Sequence, residues 1–347
     1  MMRAAVMRGD KFVVEKRPMP KPGAGDVLVK VRACGICGSD LHYFKHAPET
    51  IELAAKLGAP TDEMKRTLRE GPVLGHEFVC EVVEFGPETQ RTLNVGDRVA
   101  SMPFILRNGA PVLIGSTPEA SGAYAEYMLL SEALLLPIDD SVPDDAAALI
   151  EPLGIAVHAV NKSAIGSEQT AVVVGCGPIG LTVTAVLKAR GVQNIIAADL
   201  SPKRRELALA MGASEVVDAK AESAVLKAAA YGKPLVIFEN TGAPGMLGKL
   251  ALEAPQNARI VVTGIAAGEE SFLPMVAILK ELSFTFVIYY TPEEFAEALA
   301  LIKSGALDWT KLVTGKVGLD GVTQAFSDLA NPELHAKILI DPWTKSP

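Results

Sequence analysis

The chain carries two kinds of chemistry-bearing residue: glycines spaced closely enough to expose backbone amides, and thiol, imidazole and carboxylate side chains able to hold a metal. The glycines lie in Val174-Gly175-Cys176-Gly177-Pro178-Ile179-Gly180. Gly175 permits a tight turn, Gly177 lets the backbone approach a pyrophosphate and Gly180 allows close packing of a helix on a strand. The helix N-terminus adds amide donors and the positive end of its dipole. Asp199 follows about 20 residues beyond the last glycine, where a carboxylate accepts hydrogen bonds from an adenosine ribose. A lone G-x-G-x-x-G also occurs in ordinary turns. Here the β-branched run 171–174 reads as a buried strand before the turn, an apolar helical segment follows to about Arg190, and a second apolar run, 195–198, delivers Asp199. Strand, turn, helix and acid in register predict a dinucleotide site. Residues 170–187 carry no charge, but the glycines, Pro178 and a length at the short end of the roughly 17–25 residues a membrane helix needs argue against a span.

The cysteines stand at 34, 37, 80 and 176, too sparse for a disulfide framework, which leaves reduced thiols available as ligands. By spacing, Cys34-Gly-Ile-Cys37 is a zinc half-site or a redox pair. No second C-x-x-C follows, which excludes a four-cysteine site, and no thioredoxin-like context surrounds it. Gly75-His76-Glu77 and Glu151-Pro152 contribute an imidazole and carboxylates. On the residues alone, two readings stand for each: His76 as ligand or as satisfied core histidine, and Glu151 as ligand or as complement to the dipole of the helix that Pro152 starts. Gly96-Asp97-Arg98-Val99 reads as a turn before a strand. Cys176 reads as a small filler, and His158 and His335 as structural.

Holding these residues in place calls for two domains, and 347 residues suffice for them. The first 135 or so residues read as short strands at 27–33, 78–85, 98–101 and 124–130, separated by Gly and Pro, hence a β-rich domain. From 152 to 290, apolar strands at 216–217, 235–239, 260–263 and 285–289 alternate with helices, the pattern of a parallel sheet wound with helices around the glycine turn. A helix from Pro292 to about Ser304, capped by Thr291, precedes strand-like segments at 316–317 and 337–339 that return to the first domain. The expected division is 1–151 with 292–347 against 152–291. A net charge of -8 disfavours a nucleic-acid or anionic-membrane partner and favours a small-molecule ligand. Apolar residues at 49% and charged residues at 21%, without low-complexity tracts, fit a globular fold. Arg3, Arg8, Asp10, Lys11, Glu15 and Lys16 interrupt the N-terminal apolar positions, so no secretory-signal core forms and a cytoplasmic location is expected.

Along nearly the whole chain run, in order, Cys34-Gly-Ile-Cys37-Gly-Ser39-Asp40-Leu41-His42, Gly75-His76-Glu77, Gly96-Asp97-Arg98-Val99, Gly122-Ala-Tyr-Ala-Glu-Tyr127, Glu151-Pro152-Leu153 and the glycine turn. As an ordered set these resemble the zinc-dependent alcohol dehydrogenases of the medium-chain dehydrogenase/reductase family, with Cys-Gly-Ser-Asp and Glu-Pro-Leu most similar to the sorbitol and threonine dehydrogenase branch. The resemblance implies an α/β fold with a GroES-like β-rich catalytic domain and a Rossmann doubly wound parallel-sheet domain. It implies Cys37, His76 and Glu151 as the protein ligands of a catalytic Zn2+, with the fourth position open to water or substrate. Glu77 becomes the carboxylate near the metal, and Asp40 the partner that orients a ligand. Ser39 takes the proton of the alcohol and passes it through the nicotinamide ribose toward His42. Thr241, Gly242 and Gly264 line the nicotinamide side, Lys337 contacts the pyrophosphate, and a homodimer or homotetramer forms through the nucleotide domain. The implied reaction moves a hydride between an alcohol, polyol or sugar and NAD, with zinc acting as Lewis acid.

The chain departs from the family's pattern in places. The lobe of four close cysteines that makes a second zinc site has no counterpart, because 101–121 contains no cysteine, so one zinc per chain is expected. Cys80 stands where the family usually has glycine. Between His42 and His76 an insert at 48–70, rich in alternating charge, reads as a solvated helix or as a cover over the substrate cleft. Asp199 favours NAD over NADP by repelling a 2′-phosphate, although Lys203, Arg204 and Arg205 follow closely and could bind one. Competing functions are a zinc-free quinone or enone reductase of the same superfamily and a nucleotide-binding protein without turnover. The joint presence of Cys37, His76 and Glu151 disfavours both. The apolar runs 102–106 and 112–114 hint at a less polar pocket than a polyol enzyme needs, or are core, and the alcohol itself is not readable.

Overall fold

In the computed structural model, which describes residues 1–266 and 268–345, the chain forms two units. The first comprises Met1–Glu151, Val313–Asn331 and the segment from Lys337, the second Pro152–Leu312 and Pro332–Ala336.

The first unit is built on a seven-stranded sheet whose spine is the strand Asp26–Gly35. Val29, Val31 and Ala33 are buried while Lys30 and Arg32 between them are partly exposed, the period-two pattern of a sheet strand. Its antiparallel partner, Glu77–Phe85, runs back in a register that sets Gly35 opposite Glu77. That register places Cys37, two residues past the end of one strand, beside His76, one residue before the start of the other. On the opposite edge of the spine, Lys337–Ile340 pairs through Leu339 with Gly35, and Val313–Val317 lies parallel to it. The C-terminal strands therefore return to the first unit.

The return begins at Val313, however, and not at 292. The helix Pro292–Lys303 belongs to the second unit because its contacts lie there: Glu294 accepts hydrogen bonds from Asn161 and pairs with His158, Phe295 stacks on Tyr290, and Glu297 pairs with Arg190. His158 is held by that network.

The insert folds as the later part of the helix Gly38–Lys56 and as a second helix, Asp62–Glu70. The first is kinked at His46 (φ -133°, ψ 32°), two residues before Pro48, whose ring cannot continue the hydrogen-bond ladder. Where the family's cysteine lobe would lie, Phe104–Arg107 and Ala110–Leu113 form a hairpin. Its two-residue turn, Asn108-Gly109, has both φ angles positive, at 51° and 78°.

The second unit has a six-stranded parallel sheet. Its spatial order is Glu215–Asp218, Asn194–Asp199, Thr170–Val174, Leu235–Glu239, Arg259–Val262 and Ser283–Phe286. In order of appearance this is 3-2-1-4-5-6, the doubly wound arrangement. The central strands are apolar except at their ends, because both faces are covered. Strand order reverses between Thr170–Val174 and Leu235–Glu239, and the carboxyl ends at such a point are where ligands bind. The last strand ends at Phe286 rather than Tyr289: Phe286 and Ile288 are exposed, so the apolar run there does not mark burial. Among the described residues, no helix is long and apolar enough to cross a membrane.

Candidate active site

Cys37 caps the N-terminus of the helix Gly38–Lys56. Its backbone N–H donates to Asp40 Oδ2 at 3.1 Å, and Tyr124 Oη donates to the same oxygen at 2.8 Å. The other carboxylate oxygen, Oδ1, faces His76 Nδ1 at 3.5 Å. On the far side of the imidazole, Nε2 stands 3.4 Å from Ser39 Oγ, and the Cys37 thiol also lies against the ring. Burial disfavours charge on both Asp40 and His76, yet their mutual attraction prevails. The Asp40 carboxyl is held below its ordinary range, and His76, with the Cys37 thiol adding to the pull of Asp40, is pushed well above its own.

A carboxylate on one ring nitrogen, with a thiol beside the ring, is an arrangement in which an imidazole can serve a metal. Thiol, imidazole and carboxylate are also the donor types zinc takes. Glu151, in the first turn of the helix Ile150–Ser163, is 7% exposed. Like Cys37, it acts electrostatically on the Lys337 ammonium. Among the described residues, no three of His, Cys, Asp and Glu are gathered closely enough to enclose an ion.

Lys337 and Glu77, to which the resemblance gives the pyrophosphate and the surroundings of the metal, pair with each other. Lys337 Nζ donates to Glu77 Oε1 at 2.8 Å and Oε2 at 2.5 Å, and to the carbonyl of Ile36 at 2.9 Å. Both side chains are 1% exposed. Two charges buried this deeply are tolerated only together. Burial alone lowers the Lys337 pKa, but Glu77 and then Cys37 raise it above its ordinary value.

His42 lies five residues after Cys37 on the same helix, half-buried, its ring centroid 5.0 Å from that of His46. Burial, then the neighbouring His46, depresses its pKa.

In the second unit the glycine turn follows Thr170–Val174 directly. Gly175 has φ 87°, and a Cβ there would sit 2.6 Å from Thr241 Cγ2. A Cβ on Gly180 would lie 1.9 Å from the Gly175 carbonyl oxygen, so helix and turn touch backbone to backbone. A Cβ on Gly177 would meet nothing within 4 Å. Gly177 caps the helix Pro178–Ala189, and the first-turn amides at Ile179 and Gly180 have no partner within the helix. A phosphate fits this open, donor-lined end. Asp199 Oδ2 accepts from the Cys176 N–H at 2.7 Å and Oδ1 from Ser201 N–H at 2.8 Å, which ties the acid to the turn. The buried Cys176 thiol is pushed up to about 12, the state of an inert filler. Of the basic residues nearby, Arg205 is engaged by the carbonyls of Asp199 and Leu200 and by Asp218. Arg204 Nε is buried without a partner among the described residues. Across the strand-order reversal, Thr241 and Gly242 donate to the buried Glu239 carboxylate, and a Cβ on Gly264 would strike Gly242 N at 2.2 Å.

Residues 23–140 match the family described as alcohol dehydrogenase GroES-like domain, and 178–304 the family described as zinc-binding dehydrogenase. A (R,R)-butanediol dehydrogenase of Bacillus subtilis (strain 168) is 34% identical over 98% of this chain and all of its own length. The chain belongs to the zinc-dependent medium-chain alcohol dehydrogenases. The crystal structure of a 2R,3R-butanediol dehydrogenase from Bacillus subtilis superimposes on this dehydrogenase with a TM-score of 0.84 at 32% identity, covering 99% of this chain and 100% of that one. An alcohol dehydrogenase from Escherichia coli CFT073, complexed with the cofactor NADH, does so at 0.83 with 26% identity, covering 98% and 99%. This dehydrogenase is therefore an oxidoreductase of the zinc and nicotinamide-cofactor type. Sequence reasoning had no role for Tyr124, Glu239 or the Lys337–Glu77 pair. Tyr124 shows in one dimension only as part of the Gly122-Ala-Tyr-Ala-Glu-Tyr127 motif, Glu239 as a carboxylate ending an apolar strand, and the sequence names Glu77 and Lys337 without pairing them.

Proposed function

We propose that this dehydrogenase transfers a hydride between a secondary alcohol, polyol or sugar and NAD, yielding the ketone or aldehyde. The carrying observation is His76, braced by Asp40 on Nδ1 and turned by Nε2 toward Ser39, with the Cys37 thiol beside the ring. Cys37, His76 and Glu151 hold one zinc, with Glu77 close to them. The chemistry the two bound groups supply is Lewis-acid activation of the alcohol hydroxyl and acceptance of the hydride. Ser39 accepts the hydroxyl proton and His42 passes it to solvent, an imidazole kept neutral near pH 7 by its depressed pKa. Gly177, Pro178 and Ile179 receive the pyrophosphate beside Gly175 and Gly180, Asp199 takes the adenosine ribose, and Arg204 lies next to it. Thr241 and Gly264 line the nicotinamide end. NAD is preferred to NADP because the tethered Asp199 repels a 2′-phosphate.

Butanediol, the substrate in the names of the B. subtilis proteins, is a vicinal diol, which supports a secondary alcohol or polyol here. A homo-oligomer is supported by the edge strand Ser283–Phe286, which among the described residues pairs on one side only, and by the exposed Leu273, Met275, Ile278, Leu279, Phe286 and Ile288. The test is elemental analysis together with NADH formation on a panel of secondary alcohols and polyols. One zinc per chain and activity abolished by chelation, with NAD binding retained, is expected. Turnover that survives zinc removal selects the zinc-free reductase, and NAD binding without turnover selects the non-catalytic reading.

A further inference from the structure

Tyr124 belongs to the Gly122-Ala-Tyr-Ala-Glu-Tyr127 stretch and has no role in the reaction assigned above, yet it contacts the surroundings of His76 in three ways. Its hydroxyl donates to Asp40 Oδ2 at 2.8 Å, the oxygen that also receives the Cys37 N–H, which leaves Oδ1 as the one that faces His76. Its ring lies on the backbone of Gly75, where a Cβ would fall 2.5 Å from Tyr124 Cδ1, and Gly75 has a φ of 100° that glycine alone adopts freely. Its backbone N–H donates to Leu74 O, while Ala123 N–H donates to Gly75 O, both at 2.9 Å. The residues just before His76 are thus clamped along their backbone.

The side chain is fully buried in an apolar cluster, with its ring edge-on to Phe12 and Phe326. A phenylalanine would fill that space equally well. A hydroxyl sunk there is destabilising unless it is bonded, and its bond goes to the one carboxylate that orients His76. We propose that Tyr124 is a positioning residue for metal binding: the ring fixes the backbone that carries His76, and the hydroxyl fixes Asp40 so that Nδ1 stays on Asp40 and Nε2 stays turned away from it, on the side of Ser39. This rests on His76 being a zinc ligand.

The test uses the zinc-loaded dehydrogenase mixed with a chromogenic chelator, with zinc release timed for the parent, Tyr124→Phe and Phe326→Leu. Tyr124→Phe keeps the ring and removes one bond, and it is expected to release zinc about tenfold faster, the lower end of what disturbing a ligand's outer partners does. Phe326→Leu loosens the same cluster without touching Asp40, and is expected to lower Tm while releasing zinc at the parent rate. A parental rate in Tyr124→Phe, or equal acceleration in Phe326→Leu, overturns the proposal. A second readout is exchange of the His76 Nδ1 proton by NMR in the zinc-free protein, expected to be faster in Tyr124→Phe than in the parent. Should the parent bind no zinc, the zinc reading falls, and unchanged exchange then overturns the Tyr124 coupling by itself.

Discussion

Lys337 Nζ donates to both carboxylate oxygens of Glu77, with each side chain 1% exposed. The pair joins the strand Lys337–Ile340 to the start of Glu77–Phe85, one residue from His76. Removing one partner leaves an uncompensated buried charge. Lys337→Met is therefore expected to cost about 3–5 kcal/mol in chemical denaturation, and Lys337→Met with Glu77→Met to recover most of it. A double variant no more stable than the single one would refute the pair as the cause.

The three ligand candidates should separate metal from nucleotide. Cys37→Ser, His76→Ala and Glu151→Gln are each expected to lower bound zinc and reduce NADH formation by at least about 100-fold. NAD affinity, measured by fluorescence titration, is expected to stay within about twofold of the parent, because the glycine turn lies in the second unit. Glu151→Gln is the most informative, since among the described residues no third donor closes a cluster with Cys37 and His76. Full zinc retention there would remove it from the ligand set.

Gly177 and Gly180 make opposite demands. Gly177→Ala places its methyl in open space, so Tm should hold while NAD binding weakens at least about tenfold. Gly180→Ala drives its methyl into the Gly175 carbonyl and is expected to destabilise by about 1–3 kcal/mol or more as well as weaken NAD. Equal Tm losses in the two variants would contradict this division.

Asp199 should set cofactor choice. Asp199→Gly removes the repelling carboxylate next to the unpartnered Arg204 Nε, and the NADP-to-NAD ratio of kcat/KM is expected to rise by about tenfold or more. An unchanged ratio would mean the ribose end of the cofactor lies elsewhere.

The pH profile should report His42. The proton path requires neutral imidazole, so kcat/KM for alcohol oxidation rises with pH as His42 loses its proton. With its pKa depressed by burial and by His46, that limb is expected below about pH 6.5. Glu49 pulls the other way. His46→Asn removes a charge that opposes protonation of His42, so the limb should move to higher pH. A limb that stays in place would take His42 out of the path.

The glycine turn was legible in one dimension because its chemistry is local. Strand, Gly175, Gly177, Gly180, helix and Asp199 fall within some 30 consecutive residues, and hydrophobic periodicity places them. The ordered motifs likewise pointed to the family and to a two-domain α/β fold. The boundary at 292 did not follow from pattern, because a capped amphipathic helix fits either domain, and only the contacts of Glu294 and Phe295 assign it. The surroundings of the metal candidates were out of reach for the same reason. The adjacency of Cys37 and His76 depends on a strand register that sets Gly35 against Glu77, the bracing of His76 on a tyrosine 48 residues away in sequence, and the neutralisation of Glu77 on a lysine 260 residues away. Residue types settled which atoms could serve. Which of them meet was decided by folding, because buried charges and hydroxyls take whatever partners the packed sheet brings within reach.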